Sequence, residues 1–302
     1  MHSLVTVLMN NLKGNFSFPY GKPAWNTPLI KLKQESLQYN CPVYAKLELF
    51  NFTGTHKDRE SAAVILDMKR KGYNKLACCS SGNAAISISA YAYIVGFQAH
   101  IFIGSDTPEE KIKLIELFKP KIHIIKGAFI DSFKASMKFI AKKRVYNANA
   151  GSCQAKLIGN SYIGREIAKE LKPTIVICPT NNGTLLVGVG MGLKKENVKA
   201  KLVAAIAPET KIAHSIKGFS RLEEPKLTQM IKESNGAIVK VSDEEIKQAM
   251  ISLIKQGIIV EPAAAASIAA LNHLNLKKKD KVCCVITGTG LKYPSAIQKI
   301  LN

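Results

Sequence analysis

Short, nearly continuous apolar runs rich in Val, Ile, Ala and Cys recur along the chain, separated by longer stretches whose apolar residues return every three or four positions. No other feature of the sequence constrains the fold as much. The runs at 43–49, 75–80, 100–103, 122–125, 174–178, 202–206, 237–241 and 282–286 mostly lack the alternation of a half-solvated strand, as expected where helices cover both faces of a sheet. The stretches at 60–71, 84–95, 109–118, 131–143, 163–172, 243–256 and 263–274 read as amphipathic helices. Ser242 and Asp243, followed by Glu244 and Glu245, mark an acidic helix start. Repeated strand–helix alternation predicts parallel sheets with helices on both sides, an α/β fold. Eight strands in 302 residues fit two such sheets better than one. No internal repeat or low-complexity linker divides the chain, so the two units are expected to share strands or exchange segments.

Composition removes several classes of function. With 47% hydrophobic residues, too much apolar surface is available to bury for disorder to be the main state. No uncharged apolar run approaches the roughly 20 residues of a spanning helix, so no membrane role is expected. The N-terminal stretch 1–15 has apolar residues but neither a basic leader nor a small-residue cleavage site, and it reads as mature protein. The net charge of +21 first suggests nucleic acid. However, the bases are spread along the chain, nearly all are Lys, and only five are Arg. Base-edge readers lean on Arg, so solvated faces are the better reading and no nucleic-acid partner is expected. The run Lys277, Lys278, Lys279 and Lys281 reads as a solvated turn before a strand. Seven cysteines show no metal-ligand spacing, and the two adjacent pairs, Cys78-Cys79 and Cys283-Cys284, fall in apolar runs, which points to a reducing cytoplasm without disulfides.

In open α/β sheets, ligands bind beyond the carboxyl ends of strands. Four segments there are more polar or glycine-rich than a connector requires. In the stretch 51–59, Lys57 lies near a helix N-terminus, where the macrodipole disfavours a cation. It is either an amine nucleophile or an exposed lysine in a capping turn. Ser80, Ser81, Gly82 and Asn83 lead from a strand into a helix and offer either donors to an anion or a helix cap. Asn181, Asn182, Gly183 and Thr184 form either an anion cradle or a cap, and are neither a Walker A loop nor a G-x-G-x-x-G turn. Thr287, Gly288, Thr289 and Gly290 form the fourth, a close-approach turn or a plain loop. Each signal is weak alone; their common order is not.

Taken together, these segments resemble the pyridoxal-phosphate enzymes of fold type II, the tryptophan-synthase-β-like family, and among them threonine synthases. Thr27-Pro28-Leu29, Gly54-Thr55-His56-Lys57-Asp58-Arg59, Ser80-Ser81-Gly82-Asn83, the segment from Asn181 to Thr184, Val260-Glu261-Pro262 and the closing stretch 287–292 carry the likeness across nearly the whole chain. The resemblance implies two three-layer α/β/α domains with pyridoxal 5'-phosphate in the cleft between them. Residues 41–154 would form the smaller domain with the Ser80–Asn83 loop, and 1–40 with 155–302 the larger one with the phosphate loop. It implies that Lys57 is the lysine that holds the cofactor and shuttles protons, and that Asn83 meets the phenolic oxygen. Asn181, Asn182, Gly183 and Thr184 would hold the phosphate, and Thr287 would meet the ring nitrogen. Ser80, Ser81 and Gly82 would receive an amino acid carboxylate. A hydroxyl at the ring nitrogen moderates the electron sink.

The reaction implied is that of threonine synthase, in which O-phosphohomoserine and water give threonine and phosphate, in a cytoplasmic homodimer. Lys156 stands where the family's substrate-phosphate Arg is expected and lacks its bidentate grip, and Ser161 stands where a Lys is usual. His56 replaces a Phe and reads as a packing group. A serine/threonine dehydratase or β-replacing synthase on the same fold is the alternative within the class. A non-catalytic binder of the cofactor or an amino acid is the alternative outside it.

Overall fold

The computed structural model describes residues 26–127 and 129–301, so the N-terminal stretch read above as mature protein lies outside the described residues. Among the described residues, ten strands form two sheets. The larger has the order β1 (Leu29–Lys31), β2 (Val43–Leu47), β10 (Val282–Ile286), β7 (Ile175–Pro179), β8 (Lys201–Ile206) and β9 (Ala237–Lys240). Only β1 runs antiparallel to its neighbour; the other pairings are parallel. The smaller sheet is all parallel, ordered β5 (Lys121–Ile125), β4 (Gln98–Gly104), β3 (Lys75–Cys79) and β6 (Tyr146–Asn147). The central strand β10, Val-Cys-Cys-Val-Ile, is buried at every position, and its neighbour β7 likewise. That burial explains the runs without alternation. All seven cysteines are buried free thiols within this packing. The fold is therefore α/β with two helix-flanked sheets.

Most expected elements form close to their predicted bounds. The acidic start at Ser242 is a full capping box, with the Ser242 side chain accepting from Glu245 N and Glu245 returning to Ser242 N. The boundary expected at residue 41 does not hold. Strand Val43–Leu47 pairs with β10 in register from Val43 to Leu47, so it belongs to the larger sheet. Its apolar run reads the same on either sheet, and only the long-range pairing decides.

Two helices depart further from expectation. The helix expected from 163 begins nine residues earlier, as Gln154–Glu170, and Thr184–Lys195 is a helix despite three glycines. These glycines are contact points. A Cβ on Gly192 would lie 1.9 Å from Ser161 O, and one on Gly164 would lie 2.1 Å from Val189 O. One on Gly188 would lie 2.4 Å from Asn160 Cβ. Tertiary contact between two backbones thus overrides low helix propensity.

Candidate functional site

The carboxyl ends of β3, β7 and β10 face a common cavity of about 500 Å³. Each contributes one of the segments singled out in the sequence. Lys57, Ser80, Ser81, Gly82, Asn83, Lys156, Asn181, Asn182, Gly183 and Thr287 all line it. Thr184 does not. Its hydroxyl is buried and donates to Glu223 Oε1 at 3.1 Å, while its N–H donates to Asn182 Oδ1 at 3.1 Å, so its side chain braces the loop from behind.

Lys57 is the first residue of the helix Lys57–Arg70, three residues earlier than the apolar pattern shows. The loop before it is zipped to the turn after β10. His56 N donates to Thr287 O at 2.9 Å, Thr55 bridges Gly288, and Thr289 N donates to Gly54 O at 3.0 Å. Gly54 has φ +74°, and a Cβ there would lie 2.6 Å from Thr289 Cγ2, so both backbone angle and space demand glycine. The next two residues of the helix are anchors. Asp58 is buried and accepts from Thr53 N at 2.6 Å and from the hydroxyls of Thr53 and Ser87, both at 2.5 Å. Burial pushes its carboxyl up to about 6 against these hydrogen bonds. Arg59 is fully buried and grips Glu48 with Nε at 2.9 Å and Nη2 at 2.8 Å, and reaches Glu166 as well. Thr27 of the Thr-Pro-Leu segment joins this cluster through its hydroxyl to Glu48 Oε1 at 2.7 Å.

The Lys57 ammonium donates to Glu60 Oε1 at 2.6 Å, with side-chain exposures of 18% and 3%. An opposing charge one turn along the helix thus counters the macrodipole invoked for Lys57. Lys156 Nζ stands 3.7 Å from Glu60 Oε2, and Asn160 Nδ2 donates to Oε1 at 2.9 Å. Burial works to raise the Glu60 carboxyl, but Lys57, Lys156 and His56 outweigh it and hold it at about 2. Burial likewise works to lower the Lys156 ammonium, yet nearby groups leave it above its ordinary value. Cys78 is foremost among these groups, but burial raises its own pKa and keeps it a neutral thiol at neutral pH. Glu60, followed by Glu223, is therefore the charge that acts on Lys156. His56 is driven down to about 3 by burial and then by Lys57, so it is neutral at neutral pH and, as expected, packs rather than carries charge.

Asn83 Nδ2 donates to both Glu261 oxygens, at 3.0 and 2.8 Å, and Asn83 Oδ1 accepts from Lys292. Gly183, at φ +90°, turns the chain into the N-terminus of Thr184–Lys195, where N–H groups lack intrahelical acceptors. The side chain of Asn181 ties two other stretches of the cavity wall together, donating to Ser215 O at 3.2 Å and accepting from Ser220 N at 2.7 Å. Among the described residues, neither the Ser81 nor the Thr287 hydroxyl bonds to a protein group, and both residues line the cavity. Sequence reasoning missed Glu60, Lys111, His214 and Lys217, all of which also line the cavity. Glu60 carries a legible signal, because it shares a stripe with Val64 and Met68, both fully buried, and an acid there needs partners. Lys111 and Lys217 carry none, since only the packing brings them to the cavity.

An amine, an anion-binding helix start and unengaged hydroxyls, gathered at the strand ends of two parallel sheets, define an α/β enzyme built around a phosphorylated carbonyl cofactor. The chain matches the family described as "Pyridoxal-phosphate dependent enzyme" over residues 22–288 and belongs to it. It is thus a pyridoxal phosphate-dependent enzyme of fold type II. The threonine synthase of Halalkalibacterium halodurans is 30% identical over 308 residues, spanning 92% of this chain and 85% of that protein. The threonine synthase of Bacillus sp. (strain ULM1) is 31% identical over 300 residues, spanning 89% and 84%. The structure of maize serine racemase superposes with a TM-score of 0.81 at 19% identity over 91% of each chain, a likeness of fold. The residues present fit the cofactor, with a cavity-facing amine, a glycine-turned helix start for a phosphate, and free hydroxyls for polar ring atoms.

Proposed function

We propose that the chain is a threonine synthase, converting O-phosphohomoserine and water to threonine and phosphate. The observation that carries this reading is the likeness to proteins of that name at 30% and 31% identity across about nine-tenths of the chain. The charge of the cavity supports a phosphorylated substrate. Lys111 and Lys217 line it beside Lys57, whereas its two lining acids, Glu60 and Glu261, are engaged by Lys57 and Asn83.

When bound, pyridoxal phosphate withdraws electrons from the α-carbon of an attached amino acid and so makes proton removal and loss of a γ-substituent possible. The chain's own residues then take the following parts. Lys57 holds the cofactor and moves protons at Nζ. The N–H groups around Asn181, Asn182 and Gly183 hold its phosphate, with Thr184 bracing them. Asn83 and Thr287 meet the polar atoms of its ring. Ser80, Ser81 and Gly82 receive the substrate carboxylate, Ser81 with an unengaged hydroxyl. Lys111 and Lys217 offer charge to the substrate phosphate. The reading extends to a homodimer in a reducing cytoplasm, in keeping with the buried free thiols.

The test supplies O-phosphohomoserine to the cofactor-loaded protein and measures phosphate and threonine together. Equal appearance of both is expected. Silence towards O-phosphohomoserine, with ammonia and a 2-oxo acid released from threonine or serine, would instead establish a dehydratase, the reading favoured by the engagement of Lys156 with Glu60. Borohydride reduction followed by peptide mapping should place the cofactor on Lys57, and its recovery on another lysine would refute that assignment.

A further inference from the structure

Glu60 is a buried carboxylate at the floor of the cavity to which the reaction above gives no task. It lies between two ammonium groups, Lys57 at 2.6 Å on one oxygen and Lys156 at 3.7 Å from the other. The remaining titratable groups that face this cluster are His56, whose Nε2 is 3.9 Å from Glu60 Oε1, together with Cys78 of β3, Cys153, and Glu223, which acts on Lys156 more weakly than Glu60 does. His56 and Cys78 are neutral at neutral pH, so one carboxylate stands between two cations. Asn160 donates to the oxygen that Lys57 uses and fixes its direction. The side chain of Lys156 lines the cavity floor but is only 6% exposed, so most of it is enclosed by the protein.

A lysine that carries a cofactor must turn its amine away from any resting partner. A buried carboxylate left alone by that turn would be strongly disfavoured. Two cations on one carboxylate solve this, because the second remains when the first departs. We propose that Glu60 is the positioning residue of Lys57, holding its amine at the cavity floor, and that Lys156 is the counter-ion that stays with Glu60 when Lys57 turns to the cofactor. Lys156 is thereby moved from the substrate phosphate to the support of the catalytic lysine. This inference rests on Lys57 being the cofactor lysine, which the borohydride mapping tests separately.

The experiment is graded acetylation of the full-length protein after hydroxylamine has removed the cofactor, read by mass spectrometry as Lys57 labelling relative to exposed Lys278. Glu60→Gln removes an opposite charge within hydrogen-bond distance and leaves Lys156 as a like charge, so Lys57 labelling at pH 8 should rise about tenfold or more. Lys156→Met leaves Glu60 wholly to Lys57, and labelling should fall. Glu60→Asp should return labelling towards the wild-type level, which mere filling of space would not do. If Glu60→Gln does not fold, judged by circular dichroism, Lys156→Met carries the test alone. A fall supports the inference, and unchanged or increased labelling overturns it. Labelling of Lys57 within twofold of wild type in both folded variants also overturns it, even where the mapping places the cofactor on Lys57.

Discussion

Arg59 stands two residues after the cavity lysine, in the same short motif, yet its side chain is completely buried and faces away from the cavity. Replacing it with Met should therefore reduce stability rather than site chemistry. In the wild type, Glu48 has no exposure and receives two guanidinium contacts, at 2.9 and 2.8 Å. Without them, Glu48 keeps, among the described residues, the neutral side-chain donors Thr27 and Asn51, while Glu166 retains Lys46 at 2.9 Å. Breaking a buried ion pair by removing one partner costs about 3–5 kcal/mol, chiefly from the charge left behind. With an m-value of about 3 kcal/mol/M, the urea midpoint should drop by about 1 to 1.7 M. Adding Glu48→Gln removes the orphaned charge and should recover a large part of that loss. Urea denaturation followed by circular dichroism at pH 7.5 measures all three proteins. A single variant within about 0.3 M of wild type, or a double variant no better than the single one, would refute the reasoning.

Two further perturbations test other parts of the structure. Gly192→Ala places a methyl 1.9 Å from Ser161 O and 2.8 Å from Arg165 N, both backbone atoms, so the two helices must separate. Such overpacking costs about 1–3 kcal/mol, and a thermal melt unchanged from wild type would show that the close approach carries no such constraint. His56→Phe tests pH dependence. The imidazole is held at about 3 in the fold against an ordinary 6.5, so its contribution is present above pH 6.5 and lost as pH falls towards 3. Asp58, raised to about 6, works in the opposite sense, its contribution being present below about 4 and lost as pH rises through 6. The difference between wild type and His56→Phe isolates the histidine. Wild type should lose about 2 kcal/mol more than the variant between pH 7 and pH 5, and parallel curves would exclude this account.

The strands were legible because a fully covered parallel strand leaves an unmistakable run, as in residues 282–286, and each polar segment could be sought at a strand's end. The assignment of strand 43–47 to the larger sheet was not legible, because pairing with β10 leaves no trace in local pattern. The helix start at Lys57 was hidden because its first turn, Lys-Asp-Arg-Glu, contains no apolar residue to reveal the period. The start of helix Thr184–Lys195 was legible in the cap-like turn before it, but its extent was not, because its glycines are there for Leu157, Asn160 and Ser161 on the neighbouring helix and for Met230, not for helix propensity. Within the site, motif positions were readable and charge partners were not. Lys156 was visible as a cation, but its enclosure at the cavity floor and its partner Glu60 depend on how two helices meet.

That opening turn also shows how four consecutive charged residues can stand together with three of them buried and Lys57 partly so. At about 100° per residue, Lys57 and Glu60 fall on one face, while Asp58 and Arg59 point in two other directions. The first face meets Lys156 and Asn160 on helix Gln154–Glu170 and the cavity. Asp58 meets Thr53 and Ser87, and Arg59 meets Glu48 and Glu166. Each direction is closed by its own polar partners, so the turn is held from three sides without apolar packing of its own. Lys57 is the least buried of the four side chains. On the proposed reading, in which Lys57 changes partners, the amine is carried on a turn anchored by its neighbours on three sides. Loss of Arg59 and loss of Glu60 should accordingly separate, the first lowering stability and the second altering the reactivity of one amine.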